Sequence, residues 1–231
     1  MYLYHKPECE QLAQPLAAWF QLTPTQTPPA VDTFQLFLDQ RGLVLLAPGY
    51  KHPYRLSMDE CQRRVGMQGL LARAIGRAGT TVLDACAGLG IDGFGLAALG
   101  HQVTLVEQLR PLWALMDEFA ERHPALDAQV RCADSLSIDA SSWSVVYLDP
   151  MFAARSKGAL PNRGMQHVQG LVQEAASGRA DSVPIERWLT WARSIARDRV
   201  VVKRRAKDPT VDRPSHQLRG RSVRFDVYQL R

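Results

Sequence analysis

From Thr80 onward the chain alternates short, uninterrupted apolar runs with segments of helical period, and this alternation restricts its fold more than any other feature. T-V-L-D-A (81–85), V-T-L-V-E (103–107), A-Q-V-R-C-A (128–133), V-V-Y-L-D (145–149) and R-V-V-V-K (199–203) predict five strands. Strands buried on both faces read as continuous hydrophobic runs, whereas half-exposed strands alternate. Between them, residues 91–99, 111–122 and 185–196 carry helical patterns. Gly100 stops the first, and Pro111 opens the second, where its missing N–H costs little. In the third, Trp188, Trp191 and Ile195 recur at spacings of three and four. Alternating β and α elements predict a parallel sheet covered by helices on both faces. The tail V-R-F-D-V-Y-Q-L (223–230) alternates instead, as an antiparallel edge strand does.

Ahead of this region, residues 10–20 predict a helix, followed by the Pro/Thr-rich connector T-P-T-Q-T-P-P. F-Q-L-F-L and L-V-L-L-A flank D-Q-R-G, a hairpin with Gly42 in the turn. Residues 1–60 are therefore expected to form a small α/β unit and residues 61–231 the main domain, entered through a helix over 67–77.

The 231 residues are 46% hydrophobic, enough for one substantial core. The net charge of +5 is unevenly placed. Residues 193–231 hold twelve Lys/Arg against four acids, a local surplus of +8, while residues 1–192 sum to −3. A basic tail of this kind suits a polyanionic partner, or is a solvated face. Cys9, Cys61, Cys86 and Cys132 form no C-x-x-C pair, so no metal site is expected and the thiols suit a reducing compartment. No leader pattern or membrane-length apolar stretch is present in the sequence, so a cytoplasmic protein is the expectation.

The strand ends carry the chemistry. After the first strand comes D-A-C-A-G-L-G-I-D-G, Asp84 to Gly93, in which Gly88, Gly90 and Gly93 match G-x-G-x-x-G. That motif alone would suggest a dinucleotide. Asp84, four residues before the first glycine, argues otherwise: a carboxylate there repels pyrophosphate and attracts an ammonium. Glu107, ending the second strand, is placed to accept hydrogen bonds from ribose hydroxyls. Asp134 after the third strand can take an adenine amino group. Acids after four successive strands describe a site for a cationic nucleoside without phosphate, and S-adenosylmethionine (SAM) is such a ligand. The fourth strand ends in Asp149-Pro150-Met151-Phe152. The Asp149 carboxylate and the Pro150 carbonyl are candidate acceptors for the N–H groups of a planar amine, and Phe152 can stack on its ring. A base must leave its duplex to reach such a pocket. Arg155 and Lys157, with Lys203, Arg204 and Arg205, are then candidate clamps on a nucleic-acid backbone, supplemented by Lys51, His52, Arg55, Arg63 and Arg64.

These segments, together with R-S-K-G-A-L after D-P-M-F and R-F-D-V-Y near the end, resemble the ribosomal RNA small subunit methyltransferase J family over about residues 60–231. The resemblance implies a Rossmann-like class I SAM-dependent methyltransferase sheet and a cytoplasmic enzyme that methylates the exocyclic N2 amine of a guanosine in small-subunit ribosomal RNA, free or in the assembled subunit. It implies SAM contacts at Ile91-Asp92, Glu107-Gln108, Asp134-Ser135 and Asp149. Ile91 and Gln108 stand where the family has arginine, Asp134 where it has serine, and Val65 to Gly69 replaces a glycine-rich stretch. The residues themselves leave the acceptor open: another planar amine, such as a DNA adenine or a protein glutamine, or a non-catalytic nucleoside- or RNA-binding module, fits them too, and a nicotinamide dehydrogenase is the remotest alternative.

Overall fold

The computed structural model describes residues 2–27, 35–46, 53–66, 69–139, 143–150 and 183–230. Among them, two sheets form. The first contains β1 (Tyr2–His5), β2 (Thr23–Thr25), β3 (Gln35–Asp39) and β4 (Gly42–Leu46), in the order β2-β1-β3-β4, with α1 (Glu10–Phe20) between β1 and β2. The expected hairpin is β3–β4, paired antiparallel with Asp39 opposite Gly42. The Pro/Thr-rich connector is not wholly irregular: Thr23–Thr25 pairs in parallel with Tyr2–Tyr4.

The second sheet has seven strands: β5 (Thr81–Asp84), β6 (Gln102–Glu107), β7 (Ala128–Cys132), β8 (Trp143–Leu148), β9 (Ala196–Arg205), β10 (His216–Arg219) and β11 (Val223–Gln229). Their order is β10-β11-β9-β8-β5-β6-β7. β9, β8, β5, β6 and β7 are parallel; the inner four carry the continuous apolar runs that predict this, while β7, A-Q-V-R-C at the edge, alternates and is largely exposed. β11 is antiparallel to β9 but is not an edge strand, because β10 pairs outside it. Its polar face is also buried: Arg224 Nε lies 2.8 Å from Asp226 Oδ1, and the Arg224 guanidinium donates to the carbonyls of Arg205, Ala206, Asp208 and Pro209. An alternation that reads as half-exposed is thus satisfied by an internal ion pair and by the loop that folds over it.

Helices cover both faces. On one lie α2 (Met58–Val65), α3 (Leu70–Ile75), α4 (Ile91–Ala98) and α5 (Arg110–Arg122), packed on the face that presents Val82, Leu105, Val145, Tyr147 and Val201. On the other, α6 (Ile185–Ile195) packs on Leu83, Val106, Val146, Leu148, Val200 and Val202. The period of two in each strand divides the core this way. The first sheet shares the larger core, and its β3–β4 hairpin lies on α5. Phe20 meets Trp113 edge to face, and Arg110 donates to the Phe20 carbonyl at 2.9 Å.

α2 was not anticipated, although Ser57-Met58-Asp59-Glu60 carries an S-x-x-E signature: the Ser57 hydroxyl accepts the Glu60 N–H at 3.3 Å. The helix expected over 67–77 is shorter, Leu70–Ile75, ending before Gly76 at φ +109°. α2 packs closely on α4 because Gly95 has no side chain. A Cβ there would stand 2.6 Å from the Cys61 carbonyl and 2.3 Å from Val65 Cγ2. Alanine is preferred over glycine in a helix by about 1 kcal/mol, but overpacking costs about 1–3 kcal/mol and a backbone carbonyl cannot turn aside. Gly95→Ala is therefore expected to lower the unfolding free energy by about 1–2 kcal/mol, read from the urea midpoint; an unchanged or higher midpoint contradicts the packing described.

Candidate active site

In this sheet the chain runs outward from β5 through β6 to β7, then returns to add β8 and β9 on the other side. The order reverses between β5 and β8, and ligands of open α/β sheets bind outside the carboxyl ends of the strands at such a switch point. Asp84 ends β5 level with Tyr147 of β8, and Glu107 ends β6 level with Cys132 of β7. Asp149 follows β8 directly, beside the end of β9. The expected acids therefore do line one edge of the sheet.

Their surroundings differ. Asp84 is 1% exposed, tucked under the first turn of α4, where Gly93 leaves it room. Its Oδ1 has no hydrogen-bond partner among the described residues. Burial, followed by the charges of Asp92 and Asp149, pushes its carboxyl well above the usual range. The glycine loop begins beyond it. Gly88 has φ +57° and Gly90 φ +73°, and open space lies over Gly88 where a Cβ would stand. The Gly88 N–H donates to Glu107 Oε2 at 3.0 Å and the Leu109 N–H to Oε1 at 2.8 Å, so backbone from two elements orients the Glu107 carboxylate. Burial still raises its pKa, against those hydrogen bonds.

Asp134 is exposed and caps its own turn, with Oδ1 accepting the Leu136 N–H at 3.0 Å. Ser135 is 4% exposed and donates to the Ala85 carbonyl at 2.6 Å, tying the loop after β7 to the loop after β5. Ile91 is half-buried at the start of α4, and Gln108 is exposed. Pro150 is half-buried. Phe152, Arg155, Lys157, Lys51 and His52 lie outside the described residues.

The basic residues require correction. Lys203 is not a surface clamp. Its side chain is 9% exposed, and Nζ lies 2.6 Å from Asp149 Oδ2 and 2.7 Å from Asp92 Oδ2. Arg204, one residue on, faces the opposite side of the sheet, is buried, and donates to the Pro209 carbonyl at 3.3 Å. Of this trio Arg205 alone is exposed. Strand alternation explains the split: a run of three cations in β9 cannot face one partner. Arg55 pairs with Asp39, and Arg64 Nε pairs with Asp92 Oδ1 at 3.3 Å.

Asp92 therefore sits at the centre of a network. Its Oδ2 also accepts the Tyr147 hydroxyl at 2.7 Å. Burial pushes its pKa up, but Lys203 and Arg64 outweigh this and hold it at about 2. Among the described residues Lys203 is the cation in contact with Asp149, whose carboxyl still goes up: desolvation and the charge of Asp92 exceed the opposing pull of Lys203 and the more distant Arg64. The Tyr147 hydroxyl and the Cys86 thiol are also pushed well up, by burial first and then by neighbouring carboxylates. Several groups here each resist a further negative charge, so this edge of the sheet favours a cation. Together with the unpartnered Asp84 Oδ1 and the open approach over Gly88, this fits a ligand carrying an ammonium and a sulfonium. Among the described residues no cluster of His, Cys, Asp or Glu is arranged for a metal ion, and no helix is long and apolar enough to cross a membrane.

A family model described as SAM-dependent methyltransferase matches residues 55–230. The crystal structure of the SAM-dependent methyltransferase NGO1261 from Neisseria gonorrhoeae superposes with a TM-score of 0.75 at 27% identity, covering 99% of this chain and 96% of that one. Fold and family together make this chain a class I SAM-dependent methyltransferase. A relative named ribosomal RNA small subunit methyltransferase J from Thioalkalivibrio sulfidiphilus is 34% identical, covering 97% of this chain and 95% of the relative. One of the same name from Pseudomonas fluorescens is 35% identical, covering 96% and 90%. The chain belongs to the ribosomal RNA small subunit methyltransferase J family.

The environment of Asp84 gives a pH-dependent expectation. An acid whose folded pKa lies above its unfolded value of about 3.9 destabilises the fold increasingly as pH rises past that unfolded value. Asp84→Asn removes this penalty. Without SAM, its thermal midpoint relative to the parent protein is expected to improve between pH 5 and pH 8, and a midpoint difference that does not change with pH contradicts the assignment.

Proposed function

We propose that this enzyme transfers the methyl group of SAM to the exocyclic N2 amine of a guanosine in small-subunit ribosomal RNA, in the cytoplasm. The observation that carries the reading is Asp149-Pro150 at the switch point: Asp149 keeps about a third of its side chain exposed and only its Oδ2 is engaged by Lys203. The relatives' names support small-subunit ribosomal RNA as the substrate, and the resemblance of the D-P-M-F segment supports a guanine amine.

In this reading Asp84 meets the ammonium of SAM, the loop from Gly88 to Asp92 follows its amino-acid portion through backbone groups, and Glu107 and Gln108 face its ribose. Asp134 offers Oδ2 to the adenine amine, because its Oδ1 is held by Leu136. Ser135 holds the loop in place through Ala85. When bound, SAM supplies an electrophilic methyl group on a sulfonium.

The remaining work falls to the chain. An exocyclic amine is a poor nucleophile because its lone pair is delocalised into the ring. Asp149 accepting one N–H, with the Pro150 carbonyl accepting the other, localises that lone pair towards the methyl. The N–C bond forms as the C–S bond breaks, and the extra proton on nitrogen leaves to Asp149 or to water. The raised pKa of Asp149 suits it to accept that proton. Fixed acceptors supply positioning and electrostatic stabilisation without reorganisation.

RNA docking is assigned to a different set of cations from the one expected. Arg219 ends β10 level with Arg224 of β11 and Arg204 of β9, at the sheet edge that carries Asp149. Arg205, Lys207, Arg219 and Arg221 are all exposed along this rim.

Two outcomes test the proposal. Asp149→Ala is expected to lower transfer of labelled methyl from SAM to small-subunit RNA by about 100- to 1,000-fold. The product in the parent reaction is N2-methylguanosine by nucleoside mass spectrometry; an active Asp149→Ala enzyme or a different methylated nucleoside refutes the reading. Charge reversal at Arg219 and Arg221 together should weaken RNA binding and reduce the log–log salt slope by about 1.5–2, leaving SAM affinity unchanged. An unaltered slope removes the rim from the RNA interface.

A further inference from the structure

Lys203 is the eighth residue of β9 and is buried, a position an ammonium holds only if its charge is matched, and the structure matches it twice. The residue before it, Val202, pairs with Leu148, so Lys203 lies beside Asp149. Its ammonium sits within hydrogen-bond reach of Asp149 Oδ2 and Asp92 Oδ2 at once, at 2.6 and 2.7 Å. Asp92 is fixed from two further directions, by the Tyr147 hydroxyl from β8 and by Arg64 from α2. The ammonium is therefore held by an anchor that cannot rotate away, and it in turn holds Asp149. A lysine serving RNA phosphates would keep its head in water; this one is desolvated, a cost that only close opposite charges offset.

We propose that Lys203 is a positioning residue for methyl transfer: anchored by Asp92, its ammonium clamps Asp149 Oδ2 and leaves Oδ1 to face the acceptor amine. This rests on Asp149 accepting that amine. Asp149 lies just beyond the last residue of β8, where the strand no longer fixes its side chain. Displacement of a reacting group by about 1 Å costs about 100-fold in rate. The charged or titratable groups facing the ammonium are Asp92 from α4, Asp149 and Tyr147 from β8 and its end, Arg64 from α2, and Asp84 from β5.

The test uses the full chain, SAM and small-subunit RNA. Lys203→Met should lower kcat by about 10- to 100-fold, with the KM for RNA and its salt slope little changed. Loss of the cation disfavours ionised Asp149, so the acid limb of the kcat–pH profile should move to higher pH. Lys203→Arg keeps the charge and should restore the limb and part of kcat. If Lys203→Met does not fold, Tyr147→Phe, which removes one hydroxyl from the Asp92 anchor, should lower kcat by a smaller factor at unchanged KM. Parental kcat with a raised KM and a lower salt slope in Lys203→Met would return Lys203 to the RNA interface and overturn the proposal. So would a kcat loss in Lys203→Met with the acid limb unmoved and no recovery in Lys203→Arg. Asp149→Ala separates the two readings. If it is active, the assignment of Asp149 fails. If it is inactive while Lys203→Met is parental, the clamp alone fails.

Discussion

Three carboxylates, Asp84, Asp92 and Asp149, crowd the carboxyl edge of β5 and β8, and the order of that edge depends on how their charge is balanced. The chain answers with unequal treatment. Asp92 receives Lys203, Arg64 and the Tyr147 hydroxyl and stays ionised. Asp84 has no cation in contact among the described residues and is driven towards its neutral form. Asp149 lies between the two, sharing Lys203 with Asp92. Separating the titration of neighbouring carboxyl groups by their surroundings is a general way to give similar side chains different tasks. Here it yields one carboxylate locked between cations, one buried acid with an unpartnered oxygen among the described residues, and one partly exposed acid between them.

The layout of the fold was legible because its signals are periodic and local. Continuous apolar runs marked β5, β6, β8 and β9, the alternating A-Q-V-R-C marked β7, and the acids Asp84, Glu107, Asp134 and Asp149 stand where the chain leaves the sheet. What escaped was decided by tertiary partners. The tail strand β11 alternates like a half-exposed strand, yet Arg224 and Asp226 satisfy each other inside the protein. Lys203, Arg204 and Arg205 read as one basic patch, but a strand sends neighbours to opposite faces and the first of them meets two carboxylates contributed by other elements. The helix α2, which delivers Arg64, had its capping signature in the sequence but a weakly apolar pattern. Tyr147 looked like an ordinary core aromatic in an apolar strand; only its depth, with its hydroxyl reaching α4, gives it a role.

The loops of the site are bonded to one another as well as within themselves. Glu107 after β6 takes the Gly88 N–H from the loop after β5, and Ser135 after β7 donates to Ala85 of that same loop. This edge of the sheet is therefore largely assembled by folding. Pre-organisation of this kind lowers the ordering cost that a ligand otherwise meets on binding.

The contact between the first sheet and α5 reaches further than packing. Glu107 ends β6, and α5 begins at Arg110, whose guanidinium is held by the Phe20 carbonyl while Trp19 donates to Asp117 further along the helix. Residues near the amino terminus thus splint the outer side of the helix that carries the chain away from Glu107. Softening that splint would loosen the Glu107 end of the sheet edge from behind, so the first sheet acts on that edge through α5.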